Sequence, residues 1–517
     1  MASFGLTQEP WLPCETLDGT RVELSLFDAL RCAHELRSLD DSSPLVTAAL
    51  HRLLLAVLHR CFGPRDIDEW KRLYAAGRFD PQKLKAYLTQ WSDRFDLLHS
   101  TQPFYQCIDE NMVKFEADAP SRLVFERSNY GAPVNLFAHR PTTFDDKLGF
   151  ADAARLLVAF QAFTPGGLIR KSGEPLSAKA APLNRGAVVL VTGTSLFETL
   201  LCNLLVYRPQ DGLPIPGDPR TDIPAWERDG SRTISNDPPA GWLDLLTWQS
   251  RRVLLKTDTA NQFVTGVVVA VGRSSDTPIR DPMLAWKESE KVGLMPVSLS
   301  PERAFWRDAH ALVLSAKIGV RGILKVQRPS AVDLVARTEL RGLVPLDRRF
   351  SLNLFGMAGD QARILSVGRE CLPVATKIMA DSDLGGGVKE AILGAEIGSS
   401  SLSFALETVA RRVLAAGERE PAPASVTNLV KSGGGQQMYW ARLGHDFVTF
   451  LDILPTAAST ARVGFTSAIR HAARHAFEQV ARDTGPQANS PRAIVEGERQ
   501  LRRGLARLTQ HQHVGTS

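Results

Sequence analysis

The strongest constraint on the fold is a change in the character of the sequence after Pro373. Before this residue, short apolar runs typical of strands alternate with helical segments and polar connections. After it, apolar residues recur at helical spacing along four long stretches, residues 388–416, 437–454, 458–483 and 493–508. The sequence therefore predicts an α+β fold, with a large mixed α/β N-terminal domain over residues 1–373 and a C-terminal four-helix bundle over residues 374–517.

Length and composition exclude several classes of protein. The 517 residues exceed what one hydrophobic core organises, and 44% apolar with 23% charged residues is typical of a globular protein. The six cysteines are scattered without a CxxC pair, which argues against a disulfide framework and a zinc site, and we expect no metal and no cofactor. Neither a signal peptide nor a membrane-spanning run is recognised, so we expect a cytoplasmic protein with no membrane partner.

A helix with a mostly apolar surface is predicted to begin at Ser43-Pro44, where a capping residue precedes proline at the first helical position. It contains His51 and His59. With no further ligands at a suitable spacing, these histidines are interpreted as structural core residues.

Residues 353–365 consist of two apolar runs separated by Gly356, Gly359, Asp360 and Gln361. Glycine permits the backbone conformations of a turn, and Asp tolerates them. The pattern predicts a β-hairpin that presents Gln361 at a polar tip. By themselves these residues are also compatible with an ordinary surface turn.

A glycine-containing turn follows the helix predicted over residues 150–161. Gly166 and Gly167 stand after Pro165, with Arg170 and Lys171 close behind. Bare backbone amides can approach a phosphate or a groove edge, and the basic residues add positive charge. The alternative is a plain helix terminator. The GxxxxGK and GxGxxG spacings of nucleotide-binding loops are absent.

Two further regions have features of nucleic-acid binding. Residues 121–143 lack any periodicity and contain basic and aromatic side chains, which predicts either a binding loop or a plain surface loop. The C-terminal end is locally basic and includes Arg470 and Arg474. These arginines could hold a nucleic-acid backbone or form a solvated helix face.

An enzyme is the main alternative class. The GxSxG and HExxH motifs are absent. His471 and His475 are spaced as two metal ligands could be, and Asp381-Ser382-Asp383 precedes three glycines, but neither set has further partners nearby. A helix-surface pair and a polar turn before a helix are the better interpretations, and we expect no enzymatic activity.

Taken together, the order and spacing of several stretches resemble the CasA family, the large subunit of the type I-E CRISPR surveillance complex Cascade. The stretches are Pro10-Trp11, Ser43-Pro44-Leu45, Gln102-Pro103-Phe104, residues 129–140, Pro165-Gly166-Gly167, Gly193 with the helix to Asn203, Trp248-Gln249, Asp360-Gln361-Ala362 and the final bundle. The resemblance covers nearly the whole chain. It implies a non-catalytic subunit that recognises the short duplex motif beside the target, the PAM, through the minor groove and starts strand separation.

Roles for individual residues follow from this resemblance. Gln361 would wedge into the duplex, with Gly359 and Asp360 shaping the tip of the hairpin. Gly166 and Gly167 would lie against the PAM minor groove. The best positional match for the basic residue that completes this contact is Arg273, with Arg280 or Lys287 as alternatives.

The resemblance also implies partners. Asn129, Asn135 and Phe137 match a segment that contacts the guide RNA or a neighbouring subunit. Expected partners are the guide RNA, double-stranded target DNA, the other Cascade subunits and a separate helicase-nuclease that performs cleavage. Two departures stand out: the glycine loop has fewer glycines than in some relatives, and the cysteine clusters of some members are missing. A structural subunit that does not read DNA remains the alternative.

Overall fold

The computed structural model describes residues 3–125, 147–169, 176–228, 234–260, 262–289, 293–300, 303–315, 317–318, 324–360, 363–415, 420–483 and 490–510. The chain forms two compact units. Unit 1 comprises residues 1–303, 315–345 and 350–371, and unit 2 comprises residues 304–314, 346–349 and 372–517.

The described strands are β1 (Leu12–Thr16), β2 (Arg21–Leu24), β3 (Leu36–Leu39), β4 (Leu148–Gly149), β5 (Gly167–Ile169), β6 (Leu176–Ala178), β7 (Val188–Thr192), β8 (Arg251–Asp258), β9 (Phe263–Val271), β10 (Trp286–Ser289), β11 (Gly293–Pro296), β12 (Lys317–Ile318), β13 (Leu324–Gln327), β14 (Arg349–Asp360) and β15 (Arg363–Ala375). They form small sheets in the orders β2-β1-β3, β11-β10-β13-β12, β15-β14-β7, β4-β9-β8 and β5-β6. These pairs are antiparallel, both between strands that follow each other in sequence, such as β1-β2 and β8-β9, and between the distant strands β7 and β14.

The described α-helices are α1 (Leu26–Arg31), α2 (Pro44–Phe62), α3 (Ile67–Ala75), α4 (Pro81–Gln90), α5 (Glu110–Lys114), α6 (Phe150–Phe163), α7 (Leu196–Asn203), α8 (Trp242–Leu246), α9 (His310–Val313), α10 (Ser330–Val335), α11 (Thr376–Ala380), α12 (Ser382–Leu414), α13 (Pro423–Ser432), α14 (Gly435–Ile453), α15 (Ala458–Asp483) and α16 (Ser490–Gln510). Short 3-10 turns cover Ser92–Phe95, Pro120–Leu123, Pro209–Asp211, Ala225–Glu227, Phe305–Asp308 and Thr338–Leu340. The mixed helix and strand composition and the helical C-terminal region confirm the predicted α+β class.

Helix α2 is the core element of unit 1. By length and composition it could also cross a membrane, but 83% of its most apolar window is buried inside the protein, which is how a core helix behaves. Proline occupies its start, as predicted from Ser43-Pro44. His51 Nδ1–H donates a hydrogen bond to the Thr47 carbonyl (2.8 Å), and His59 Nε2 accepts one from Trp242 Nε1 (3.1 Å). Burial lowers the pKa of His51 to about 4 and that of His59 to about 3.

Unit 2 contains the helices predicted after Pro373. Helix α15 has the predicted bounds, while α12, α14 and α16 begin earlier than predicted. The glycines at 385–387 lie within α12, not in a loop, and Asp381 caps this helix by accepting bonds from Asp383 N and Leu384 N. Helix α13 was not predicted. Trp306, from the segment at residues 304–314, stacks on Phe447 with ring centroids 4.6 Å apart.

Candidate nucleic-acid interface

The glycine turn follows α6 directly. A Cβ atom added at Gly166 would lie 2.9 Å from Ala180 N and 3.1 Å from the Ala178 carbonyl oxygen. Only glycine therefore allows the turn to pack against the backbone that follows β6. Gly167 is exposed and pairs with Ala178, and its neighbour Leu168 is 52% exposed. The turn thus presents bare backbone and an exposed apolar side chain at the surface.

A buried arginine supports the turn from below. Arg251 is 5% exposed, and its Nη2 donates a 2.8 Å hydrogen bond to the Pro165 carbonyl. The Gln161 side chain bonds both backbone groups of Arg251, and Ser250 Oγ donates to the Gln161 carbonyl. Hydrogen bonds from a charged donor are stronger than neutral ones, and buried networks of this kind are rigid. The turn is therefore held in one conformation.

The loop after β9 starts beside the same arginine. A Cβ atom at Gly272 would lie 2.7 Å from the Arg251 backbone, so this loop and the glycine turn share Arg251 as a neighbour. Arg273, the predicted minor-groove cation, bonds the buried Asp244 with both terminal nitrogens (2.5 and 2.9 Å). Its guanidinium also stacks on Trp248, 3.9 Å from the ring centroid. In this structure Arg273 fixes the start of the loop.

A half-exposed cation lies beside the glycine turn. Lys179 follows β6, and its backbone contacts Gly166. Its side chain is 52% exposed, pairs with Asp276 and donates a 3.1 Å hydrogen bond to the Ser275 carbonyl. Of the alternative cations predicted, Arg280 is exposed on the same loop as Asp276, and Lys287 is partly buried in β10. The turn and the loop at 272–282 thus form one surface with Lys179 between them.

The predicted hairpin is present and longer than expected. β14 and β15 extend to Arg349 and Ala375, with residues 361–362 between them. Gly356 lies inside β14, not in the turn. A Cβ atom at this position would lie 3.3 Å from the Ala187 Cα, so the tight contact favours glycine. Its role is close approach to a neighbouring strand, which differs from the conformational freedom that the sequence suggested.

One side chain connects the hairpin to the glycine turn. Asn184 Nδ2 donates a 3.0 Å hydrogen bond to the carbonyl of Phe163, the last residue of α6, and lies 3.5 Å from Met357 Sδ in β14. Phe163 is three residues before Gly166, and Met357 is three residues before Asp360. The hairpin and the glycine turn, almost two hundred residues apart in sequence, are therefore neighbours within unit 1.

The remaining predicted residues are distributed as follows. Gly359 is exposed near the end of β14, and Asp360 is the last residue of that strand. Gln361, Arg170, Lys171, Asn129, Asn135 and Phe137 lie outside the described residues. Arg470 is half-buried and Arg474 is exposed on α15 in unit 2. The described part of the site therefore consists of the glycine turn, the loop at 272–282 and the body of the hairpin.

Sequence reasoning missed Lys179, Asn184, Arg251 and Asp276. The one available signal was Arg251, a charged residue at the start of an apolar strand, because a charge placed among buried residues needs polar partners. The others follow ordinary surface patterns.

In the described part of the chain, no three His, Cys, Asp or Glu side chains are grouped so that they could hold a metal ion. His471 is exposed and His475 half-buried along α15. The free cysteines of the described residues do not form a cluster. Burial raises the pKa of the Cys14 and Cys61 thiols to about 12, so both are protonated at neutral pH.

Comparisons with known proteins agree with this architecture. A family model described as CRISPR-associated protein Cse1 matches residues 5–484. The CRISPR-associated protein CasA/Cse1 of Thermus thermophilus is 34% identical over 525 residues, covering 98% of each chain. The crystal structure of Thermobifida fusca Cse1 superposes with a TM-score of 0.81 at 28% identity, covering 98% of both chains. A chain of a solved CRISPR RNA-guided surveillance complex has the same fold, with a TM-score of 0.76 at 23% identity, covering 97% of this chain and all of that one.

Proposed function

The chain belongs to the CRISPR-associated Cse1 (CasA) family. We propose that it is a subunit of a CRISPR surveillance complex, in which it recognises the PAM in double-stranded DNA through the minor groove and starts strand separation. Such a protein reads a short duplex by groove shape, while guide-RNA pairing supplies sequence specificity. Minor-groove contacts separate base pairs coarsely, so we expect several PAM sequences to be accepted.

The observation that carries the proposal is the link through Asn184. It holds the Met357 region of β14 beside the end of α6, and this closeness supports a shared role for the glycine turn and the hairpin. A groove-reading backbone and a strand-separating wedge would have to act on adjacent base pairs, so a glycine turn close to the hairpin supports the proposal. Rigid support from Arg251 and from the pairing of β14 with β7 favours the same role.

We assign the minor-groove cation to Lys179. Arg273 is bonded to Asp244 and stacked on Trp248, so using it to contact DNA would break a buried ion pair. Lys179 lies at the surface beside Gly166. Its ion pair with Asp276 is exposed and therefore weak, so Lys179 could leave Asp276 and donate a hydrogen bond to DNA instead. Arg273 then acts indirectly, by fixing the loop that carries Asp276 and Arg280.

Strand separation is assigned to the hairpin tip. Gln361 would enter the duplex, while Gly359 and Asp360 would shape the tip of the hairpin. Unstacking a base step costs a few kcal/mol, which guide-RNA pairing would recover.

Further partners follow from the same role. Asn129, Asn135 and Phe137 would contact guide RNA or a neighbouring subunit, and Arg170, Lys171, Arg470 and Arg474 would hold nucleic-acid backbone. The subunit would be non-catalytic and cytoplasmic, would need no cofactor, and would help to recruit a separate helicase-nuclease for cleavage.

The wedge is tested with Gln361→Ala in the reconstituted complex, using a PAM duplex with 2-aminopurine at the first target positions. We expect the variant to bind the duplex but to open it at least tenfold more slowly. Ser366→Ala, an exposed change in the same hairpin, is the matched control and should behave as wild type. Opening by Gln361→Ala at the wild-type rate would leave only a structural role for the hairpin.

Groove reading is tested with a charge pair at Leu168, where an exposed side chain can change without repacking the turn. If the turn faces DNA, Leu168→Glu weakens PAM-duplex binding and Leu168→Lys strengthens it. Lys179→Ala should reduce PAM discrimination, whereas Arg280→Ala should leave it unchanged. Equal affinities for the two Leu168 variants would contradict DNA contact at this surface and favour a subunit that only positions other proteins.

A further inference from the structure

The bundle in unit 2 has a long groove on one side. Helices α15 and α16 both pack along α12 but contact each other little, which leaves a groove of ≈ 1420 Å³ over α12. Small residues form its floor, including Gly387, Gly394 and Ser401 of α12 and Gly504 of α16. At the crossing of α12 and α16, a Cβ atom on Gly504 would lie 2.4 Å from Ser401 Oγ. The small side chains thus bring these helices close together and leave the space beside them open.

Large apolar side chains line this groove and remain exposed to solvent. Leu393 and Phe404 of α12 are 52% and 59% exposed, and Val463 of α15 is 61% exposed. Exposed apolar side chains that line one continuous concave surface are typical of a protein interaction site.

The unpaired charge in the groove is positive. Glu396 binds Arg307 at 2.8 Å, and Glu390 lies 4.0 Å from Arg462. Arg503 and Arg507 of α16 are exposed, stand one helical turn apart, and make no ion pair with any described residue. An occupant that complements the groove should therefore carry two carboxylates at the same spacing.

We propose that this groove binds an amphipathic α-helix of a partner protein, with one apolar face and two acidic residues at positions i and i+4. From Gly387 to Phe404 the groove follows α12 for about 26 Å at 1.5 Å per residue, which accommodates roughly 17 residues of helix. Apolar anchors in a groove are the usual recognition mode for such a helix. Nucleic acid fits less well, because phosphates would have to lie against Leu393, Phe404 and Val463.

The first test uses a fluorescein-labelled synthetic 17-residue helix with a leucine face and two glutamates at i and i+4, titrated with the full chain. We expect saturable binding that is weakened at least tenfold by Arg503→Glu/Arg507→Glu. The control variant Arg492→Glu/Arg499→Glu makes the same charge change on exposed residues of α16 that do not line the groove. A peptide with lysines in place of the glutamates should bind at least tenfold more weakly.

No saturable binding, equal binding of the acidic and basic peptides, or displacement of the acidic peptide by a 20-base-pair DNA duplex would each overturn the proposal. The last result would instead identify a nucleic-acid groove.

The second test identifies the natural occupant. A photo-crosslinking amino acid at Val463, inside the groove, is compared with the same residue at Val495, which is 50% exposed on α16 outside the groove lining. In the reconstituted complex we expect Val463 to label one helical peptide with acidic residues at i and i+4. Labelling of nucleic acid, or equal labelling of a protein from both positions, would contradict a dedicated helix site.

Discussion

Units 1 and 2 stabilise the surfaces proposed here as binding sites in different ways. In unit 1, irregular loops are fixed by buried charged groups: Arg251 bonds the carbonyl before the glycine turn, and Asp244 binds Arg273 and Arg228. In unit 2, regular helices pack through glycines, as at Gly398, where an added Cβ would lie 2.4 Å from Tyr439 Oη. Loops need specific polar partners because their backbone groups are not satisfied by secondary structure. The two units should therefore respond differently to substitution.

The largest effect is expected from Asp244→Ala. The Asp244 side chain is 1% exposed, and its removal leaves Arg273, whose side chain is 14% exposed, and Arg228 without their carboxylate. Breaking a buried ion pair on one side costs about 3–5 kcal/mol of unfolding free energy. Urea unfolding followed by pulsed hydrogen exchange, which separates peptides of the two units, should show this loss in unit 1.

Asp276→Ala is the matched control for Asp244→Ala, because it removes a carboxylate from the exposed pair with Lys179. An exposed pair contributes about 0–1 kcal/mol. Similar losses for both variants would mean that burial of the Asp244 pair does not stabilise the loops of unit 1.

The second effect is a pH dependence specific to unit 1. Burial lowers the pKa of His51 and His59 in the folded protein from 6.5 to about 4 and 3. Below pH 6.5 the unfolded chain takes up protons that the folded unit does not, so the unfolding free energy falls as pH falls from 6.5 towards 4. For both histidines the slope approaches about 2.7 kcal/mol per pH unit.

Substitution separates these histidines from other titrating groups. His59→Gln retains an acceptor for Trp242 Nε1 and should reduce the slope by about half between pH 6 and 5. His471→Gln, an exposed change on α15, should leave it unaltered. An unchanged slope in His59→Gln would show that burial of His59 does not control the acid sensitivity of unit 1.

Periodic features could be predicted from the sequence, and contacts between distant segments could not. The bounds of α15 and the hairpin of β14 and β15 follow from apolar spacing, which local residues determine. Glycine has two opposite uses that spacing cannot separate: Gly356 and Gly385 suggested turns but lie in a strand and a helix. Glycine is favoured at these positions because Ala187 and Leu314 approach them closely, and these neighbours cannot be predicted from the local sequence.

The candidate site shows the same limit. The roles proposed for Gly166, Gly167 and Gln361 rest on a family resemblance. The contacts of Arg251, Asn184 and Lys179 join segments far apart in sequence, so only the folded structure reveals them. Arg273 illustrates the converse, because sequence position suggested a DNA contact but could not reveal Asp244 as its partner.

A smaller loss is expected in unit 2 from Gly398→Ala. The added methyl group would meet Tyr439 Oη at 2.4 Å and Ile469 Cγ2 at 2.6 Å. The tyrosine cannot easily move, because its hydroxyl donates a 2.7 Å hydrogen bond to the Ala395 carbonyl. Overpacking of this kind costs about 1–3 kcal/mol. The same urea and exchange measurement should place the loss in unit 2, and a loss of equal size in unit 1 would contradict the independence of the two cores.

The smallest effect should have the opposite sign. Gly386→Ala also adds one methyl group to α12, but no other atom lies within 4 Å of the new Cβ. Because alanine loses less conformational entropy than glycine when a helix forms, the unfolding free energy of unit 2 should rise by about 0.5–1 kcal/mol. Gly398→Ala and Gly386→Ala make the same chemical change in the same helix, so their difference measures close packing alone. If both stabilised unit 2, the close approach of α12 to Tyr439 and Ile469 would be incorrect, and the contrast between buried charge in unit 1 and close helix packing in unit 2 would lose its basis.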